Sequence, residues 1–487
     1  MNSKVSVKKN FVMNMFLTMS SIIFPVITFP YVSRILLPEG TGKVTFAVSF
    51  IAYFNLISQL GIPTYGIRAC AKVRDNKCEL TRVAHELLLI NQVMCIFSYI
   101  ILGLVLIFIP RFRQDRLLYI IISFTVFLSA IGMEWLYKGL EQYTYITVRS
   151  VIFKFIALLA TFLLIHTKKD YVIYGGISIF ASSASNVLNF INAHKYIGFK
   201  PIGGYDIKRH LKPVLVFFAL SCAATIYSNL NAVMLGLVNT DADVGYYNAA
   251  IKIKTILVSV VTSLGAVLLP RASYYLEHNE VRKYISMTQK ALRFVLIFAT
   301  PISVYFILYA KEGILFLSGN AYEKSILPMQ IVMPTVFLIG LNDIMGTQIL
   351  VPKGKEKYFL LAEIIAALVD LILCFILLDP YASVGSAIGL LSAEATVTFI
   401  LFLFVKREMG NVFKNLNYYQ VLIGCMIAGA SSLVAKFLPY GSFVKLAISS
   451  IVFGLVYFGF MIILRNDIMI EIIETSVNMI KNKLDFI

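Results

Sequence analysis

The hexapeptide KGLEQY at residues 138–143 returns as KGKEKY at residues 353–358. The shared Lys-Gly-x-Glu-x-Tyr pattern recurs at an offset of 215 residues. Nearer the amino terminus, an offset of 203 residues pairs Gly42 with Gly245, Val44 with Tyr247 and Ala47 with Ala250. Arg68 and Arg271 each follow their glycine by 26 residues and pair under the same shift. The two offsets differ by 12 residues, which one inserted loop absorbs. The chain therefore reads as two halves related by duplication. Duplicated halves with a cavity between them are an architecture of carriers, so the repeat points to transport ahead of catalysis.

Composition places the chain in a bilayer. Apolar residues make up 59% and charged residues 14%, with a mean hydropathy of +0.81. No water-soluble surface for 487 residues can be built from that balance. Apolar runs of about 20 residues, the length a helix needs to cross about 30 Å of hydrocarbon, recur along the whole sequence. Their continuity excludes the alternating pattern of a membrane barrel, so the backbone polar groups are satisfied within helices. About fourteen spans are expected, at 11–36, 42–66, 83–109, 117–137, 143–166, 171–197, 211–238, 243–270, 284–310, 325–351, 357–378, 384–405, 418–438 and 443–464. The first follows Lys4, Lys8 and Lys9, as a signal peptide would. Its apolar stretch is too long for a signal core and no small-residue cleavage pattern follows, so it reads as a permanent span.

The expected fold is an all-α polytopic membrane protein. Residues 1–200 form an amino-terminal lobe of six spans, 201–410 a second lobe of six, and 411–465 two further helices. An even number of spans per repeat restores the starting orientation, so the repeats are parallel, related by an axis along the membrane normal. In 466–487, Met469, Ile472, Ile473, Val477, Ile480 and Leu484 recur at helical spacing among charges, which suggests an amphipathic helix on the inner membrane surface.

The charge pattern sets the orientation. With a cytoplasmic amino terminus, about 26 Lys and Arg lie inside and about 9 outside, which places both termini in the cytoplasm. Arg111, Arg113 and Arg116 fall outside in this topology, either as a local exception or as a binding rim. The net charge of +17 is spread over short loops and follows from topology. No nucleic-acid partner is implied, and contact with anionic membrane lipids is a secondary consequence.

Enzyme chemistry finds little footing. The connecting loops are short and contain no acid pair, phosphate-binding glycine loop or zinc spacing. The six cysteines are scattered, without disulfide or metal spacing, and read as small core residues. His85, His166, His194, His210 and His278 sit near span ends and read as interface residues. No metal or other cofactor is expected.

Charged residues inside the spans are the site candidates, because each costs about 2.5–3.5 kcal/mol at the bilayer centre unless it meets a partner or a wet cavity. The basic set is Arg34 in span one, Arg149 and Lys154 in span five, Lys252 and Lys254 in span eight, and Lys290 and Arg293 in span nine. Arg34, Lys290 and Arg293 lie near span ends, where snorkelling to headgroups accounts for them equally well. Arg68 and Arg271 stand where spans two and eight meet the cytoplasm, placed either for an anionic headgroup or for ordinary anchoring. The acidic set is Glu134, Asp343, Glu363, Asp370 and Glu394. Asp343, Glu363, Asp370 and Glu394 are candidates for coupling to a proton or sodium gradient, with structural ion pairing as the alternative. Pro25 and Pro30 in span one, and Pro328 and Pro334 in span ten, are expected to bend their helices.

One stretch carries a family resemblance. PVITFPYVSRILLPEGTGKVTFAVSFIAYFNLISQLGIPTYGIRACAKVR, from Pro25 to Arg74, resembles the opening of the Wzx-type polysaccharide flippases of the multidrug/oligosaccharidyl-lipid/polysaccharide exporter superfamily. The resemblance extends over the whole chain in length, span number and duplication. It implies two six-helix lobes around a cation-lined cavity, plus two extra helices. It also implies transfer of an undecaprenyl-diphosphate-linked oligosaccharide from the cytoplasmic to the outer leaflet of a bacterial inner membrane, for O-antigen, capsule or exopolysaccharide assembly. A polysaccharide polymerase and glycosyltransferases are the implied neighbours. The basic residues above are the implied cavity lining, although no family motif fixes Lys154, Lys252 or Lys254 individually. The multidrug branch often carries an acid in its first helix; none lies between Asn10 and Arg34. A multidrug antiporter, a non-transporting scaffold for assembly enzymes and a membrane polymerase or ligase are the competing readings.

Overall fold

A computed structural model describes residues 7–414, 416–466, 469 and 470. The surface helix expected at 466–487 lies almost entirely outside them. The described residues are all-α, and eleven of their helices are long and apolar enough to cross a membrane, or twelve if one bent pair counts as a span. Two compact units divide the chain, Met1–Gly245 and Tyr246–Ile487.

The first unit comprises α1 (Val7–Gln59), α2 (Ile62–Val73), α3 (Lys77–Phe108), α4 (Arg116–Ile131), α5 (Glu134–Gly139), α6 (Tyr143–Leu164), α7 (Tyr171–Ile179), α8 (Asn186–Asn192), α9 (Lys208–Val238) and the start of α10 (Asp241–Glu277). As a straight rod, the 53 residues of α1 would reach about 80 Å, far more than one crossing needs. Its contacts show a hairpin instead. Met13 O accepts from Thr147, Ser20 and Ser21 accept from Lys154, and Tyr31 donates to Ile165 O, so the first arm ascends parallel to α6. The second arm returns: Lys43 lies by Tyr171 and Asp115, and further on Gly66 of α2 packs on Trp135. The reversal falls at Leu37, in the left-handed region (φ 59°). Pro38 disfavours helical backbone at the residue before it, which places the break there. Pro25 and Pro30, expected to bend this helix, carry no non-helical backbone. Each proline removes one donor without reversing the chain, whereas Leu37 leaves the helical region altogether.

Helix α9, expected to open the second lobe, packs along the returning arm of α1, with Gly61 against Phe217 and Phe218 and Gly236 against Phe46. The repeated glycines meet here. A methyl group on Gly42 would overlap the Asp241 carbonyl and the Gly245 nitrogen, and one on Gly245 would overlap the Pro38 carbonyl. Close backbone approach, rather than turn geometry, requires glycine at both positions.

The second unit holds the rest of α10, then α11 (Val281–Leu308), α12 (Ala310–Ser318), α13 (Ile326–Val332), α14 (Pro334–Asp343), α15 (Glu356–Met409), α16 (Tyr418–Ser432) and α17 (Ser442–Ile463). The helices on either side of Met333 meet at 41°, a bend at the expected Pro334. Helix α15 is again a hairpin. Lys355 meets Glu408 at 2.6 Å, the Tyr358 and Phe404 rings lie 4.3 Å apart, and Asp370 faces Gly389. The turn is at Ala382 (φ 43°), two residues past Pro380. Buried tyrosines stitch the helices by donating to carbonyls, as with Tyr137 to Asn189, Tyr284 to Gln348 and Tyr457 to Ile297. Hydrocarbon offers these hydroxyls no other acceptor.

Candidate functional site

In the first unit, α6 runs antiparallel to α7 and α8. Tyr145 donates to Leu188 O at 3.0 Å, Arg149 to Ser185 O at 2.7 Å, and the Phe153 and Phe180 rings lie 5.0 Å apart. A π-helical turn at Phe180–Ala184 precedes Ser185, the kind of irregularity that re-aims backbone at functional positions. Arg149 is buried, at 6% exposure, and its Nε has no hydrogen-bond partner among the described residues. Its Nη2 stands 3.9 Å from the carboxylate of Glu134. Glu134 also pairs with Lys138, one turn further along α5, at 2.8 Å. Lys154, half-buried, donates to Ser20 and Ser21 at 2.9 and 2.7 Å and lies within electrostatic reach of Glu134. The cluster around α6 thus holds more positive than negative charge, with Arg149, Lys154 and Lys138 against Glu134.

The hairpin of α15 encloses the reverse. Asp370 is fully buried against Gly389 and the thiol of Cys374. Glu363 and Glu394 interact across the two arms, and Lys254 of α10 lies within electrostatic reach of Glu394. Asn342 of α14 donates to the Glu394 carboxylate at 3.0 Å, and Thr398 donates to the Asn342 carbonyl oxygen at 2.7 Å. Asp343 follows Asn342 and is half-buried.

The other candidates are dispersed. Arg34 is exposed and folds back on the Pro30 carbonyl at 2.6 Å. Arg68 is exposed on α2, and Arg271 is exposed near the end of α10. Lys252 is half-buried two residues before Lys254, Lys290 is exposed, and Arg293 is half-buried. The basic cluster at Arg111–Arg116 resolves in part into structure: Arg111 pairs with Asp241, donates to Gly236 O at 3.2 Å and covers the Phe46 ring. His210 departs from the expected interface role. It is buried between Tyr65 and Glu86, at 2.8 and 2.7 Å, and Glu86 also accepts from Arg209 and the Asp206 N–H. Asn342 and Thr398 were absent from the sequence candidates, although a polar amide within an apolar span was a readable signal.

The family described as Polysaccharide biosynthesis protein matches residues 7–276. A protein of Escherichia coli (strain K12) named "Putative O-antigen transporter" is 26% identical over 410 residues, covering 83% of this chain and 98% of that one. One of the same name from Shigella dysenteriae is 25% identical, covering 82% and 100%. Among solved structures, the chain resembles the lipid II flippase MurJ in an inward closed conformation, with a TM-score of 0.76, 15% identity and coverage of 94% and 100%. It also resembles an inward-facing multidrug resistance transporter of the MATE family, with a TM-score of 0.64, 13% identity and coverage of 83% and 99%. These two likenesses concern the fold.

Proposed function

The chain belongs to the polysaccharide biosynthesis protein family, and from that premise we propose that it is a flippase for a lipid-linked polysaccharide precursor. It is a carrier and not an enzyme, in keeping with the names of its relatives. The cargo is an undecaprenyl-diphosphate-linked oligosaccharide, moved by alternating access from the cytoplasmic to the outer leaflet of a bacterial inner membrane for surface polysaccharide assembly. Its working neighbours are the membrane lipids, a polysaccharide polymerase and glycosyltransferases. Fourteen crossings with both termini inside are supported by the α1 and α15 hairpins, the bent pair around Met333 and the distribution of Lys and Arg.

The observation that carries the reading is Lys154, an ammonium among apolar helices whose hydrogen-bond acceptors are the hydroxyls of Ser20 and Ser21. A cation within a span whose hydrogen-bond acceptors among the described residues are hydroxyls suits the passage of an anion and repels an organic cation. Arg149 adds a planar fork of donors for phosphate oxygens. Lys252 and Lys254 are the cations assigned to the second unit, with Arg34, Arg68, Arg271, Lys290 and Arg293 at approach positions. Outward movement of a diphosphate across a membrane negative inside is downhill by about 2.3 kcal/mol per charge per 100 mV. Asp343, Glu363, Asp370 and Glu394 are the groups for a coupling proton or sodium ion. Neutralising each of them is expected to weaken the response to an imposed gradient; unchanged flipping would remove them from that role.

The test is the sidedness of a labelled polyprenyl-diphosphate oligosaccharide in proteoliposomes, read with an impermeant glycosidase. Protein-dependent transfer is expected, and it should fall in Lys154→Ala, Lys252→Ala and Lys254→Ala proteins that still reach the membrane. No transfer by well-folded protein across several glycans would overturn the proposal.

A further inference from the structure

We propose that Glu134 is a resident counter-anion: it holds the diphosphate position beside Arg149 in the empty carrier and yields it when cargo arrives. This rests on the reading of the protein as a carrier of diphosphate-linked lipid and adds a residue that sets how tightly that cargo is held.

The pair is asymmetric in the way an exchange requires. The Arg149 side chain is 5% exposed and anchored by the Ser185 carbonyl, whereas the Glu134 side chain is 39% exposed. The guanidinium is therefore the fixed member and the carboxylate the movable one. Their 3.9 Å separation is an ion pair but too long for a hydrogen bond. Nε of Arg149 is also buried without a hydrogen-bond partner among the described residues. The guanidinium thus retains donor capacity that its present neighbours do not use, and a buried unused donor is costly until something accepts from it. A phosphate oxygen meets that geometry better than the distant carboxylate does.

Glu134 also has somewhere to go. Lys138, four residues on in α5, already binds it at 2.8 Å, so surrendering Arg149 leaves the carboxylate paired. With Glu134 retained by Lys138, the charges of Arg149 and Lys154 stand free, about balancing the two negative charges of a diphosphate diester. The backbone places Glu134 for this role. Gly132 permits contact with Asn186 of α8, Met133 takes a left-handed conformation (φ 44°), and α5 starts at Glu134. The chain therefore turns out of α4 directly in front of the Arg149 anchor.

The ligand class is a diphosphate, and the experiment separates a lipid-borne from a free source. Full-length protein in zwitterionic nanodiscs is titrated with inorganic pyrophosphate, and separate nanodiscs contain undecaprenyl diphosphate or phosphatidylglycerol. Glu134→Gln removes the competing charge while keeping size. It is expected to bind pyrophosphate about tenfold tighter than the unaltered protein and to turn over more slowly in flipping, because release is impeded. Undecaprenyl diphosphate in the nanodisc is expected to compete with pyrophosphate, and phosphatidylglycerol is not. If Glu134→Gln does not fold, Lys138→Gln serves, since it leaves Glu134 committed to Arg149, and pyrophosphate binding is expected to weaken several-fold. Binding by Glu134→Gln that equals or falls below the unaltered protein overturns the exchange, as do unchanged binding by Lys138→Gln, the absence of pyrophosphate binding in every variant, and equal competition by phosphatidylglycerol. Tighter binding by Glu134→Gln without any flipping of lipid-linked sugar keeps the exchange and sinks the flippase reading. Normal flipping with unchanged binding does the reverse.

Discussion

The helical hairpin formed by α6 with α7 and α8, and the hairpin within α15, correspond under the internal repeat, yet they enclose opposite charge. The 215-residue offset that aligns Tyr143 with Tyr358 brings Arg149 onto Ile364 and Lys154 onto Val369. The acids of the second hairpin, Glu363 and Asp370, sit one residue to either side of those positions. Each hairpin solves its own desolvation problem. Arg149 is met by a backbone carbonyl beside a π-helical turn, while Glu394 is met by the Asn342 amide and Asp370 is given room by Gly389. The aligned frame is shared while the interiors differ: the first hairpin carries Arg149 and Lys154, the second Glu363, Asp370 and Glu394.

The comparison can be broken most severely at Gly389. A side chain there meets the Asp370 carboxylate, with the Cβ only 2.5 Å from Oδ1, so Gly389→Val is expected to cost about 3 kcal/mol or more by overpacking. Loss of monodisperse protein on size exclusion would register it, and an unperturbed melting curve would show that the hairpin arms part easily enough to admit the side chain. Next comes Arg149→Ala, expected to reduce flipping on the order of tenfold or more, the worth of one charge-assisted hydrogen bond, with normal membrane insertion. Retention of full activity would remove the first hairpin from the cargo path. Asp370→Asn sharpens the contrast because it changes charge at constant size. Flipping under an imposed proton or sodium gradient is expected to lose its gradient dependence, while Arg149→Ala keeps the dependence at a lower rate. Identical behaviour by the two variants would erase the proposed division of labour. Thr398→Val, which removes the donor to Asn342, is expected to cost about 1 kcal/mol in thermal stability, and a silent result would show that Asn342 is oriented by Glu394 alone. The smallest effect belongs to Lys355→Ala at the base of the α15 hairpin, where a solvent-facing ion pair contributes little and no resolvable shift in melting temperature is expected.

Much of this was legible along the chain. Apolar runs announce spans because hydrocarbon leaves backbone groups no partner but the helix itself. An ionisable residue in such a run announces itself by its cost, which is how Arg149, Lys154, Asp370 and Glu394 stand out. Their surroundings were hidden. The Ser185 carbonyl that anchors Arg149 has no side-chain signature, and Ser20 and Ser21 lie more than a hundred residues from Lys154. His210 reads as an interface residue because it sits near a span end, whereas Glu86 reaches it from another helix. The reversal in α1 was legible, since the gap between the spans at 11–36 and 42–66 holds Leu37, but Pro25 and Pro30 look as disruptive as Pro38 and carry no non-helical backbone.

By itself, the sequence determined the membrane, the helices, the duplication and which residues pay a desolvation cost, because these follow from composition and from short-range periodicity. Only the tertiary structure decided which carbonyl, hydroxyl or carboxylate meets each charge, and why Gly42 and Gly245 recur. Those outcomes depend on distances of a few ångströms between helices far apart in the chain, where hydrogen bonds form or fail and where a single methyl group has no room.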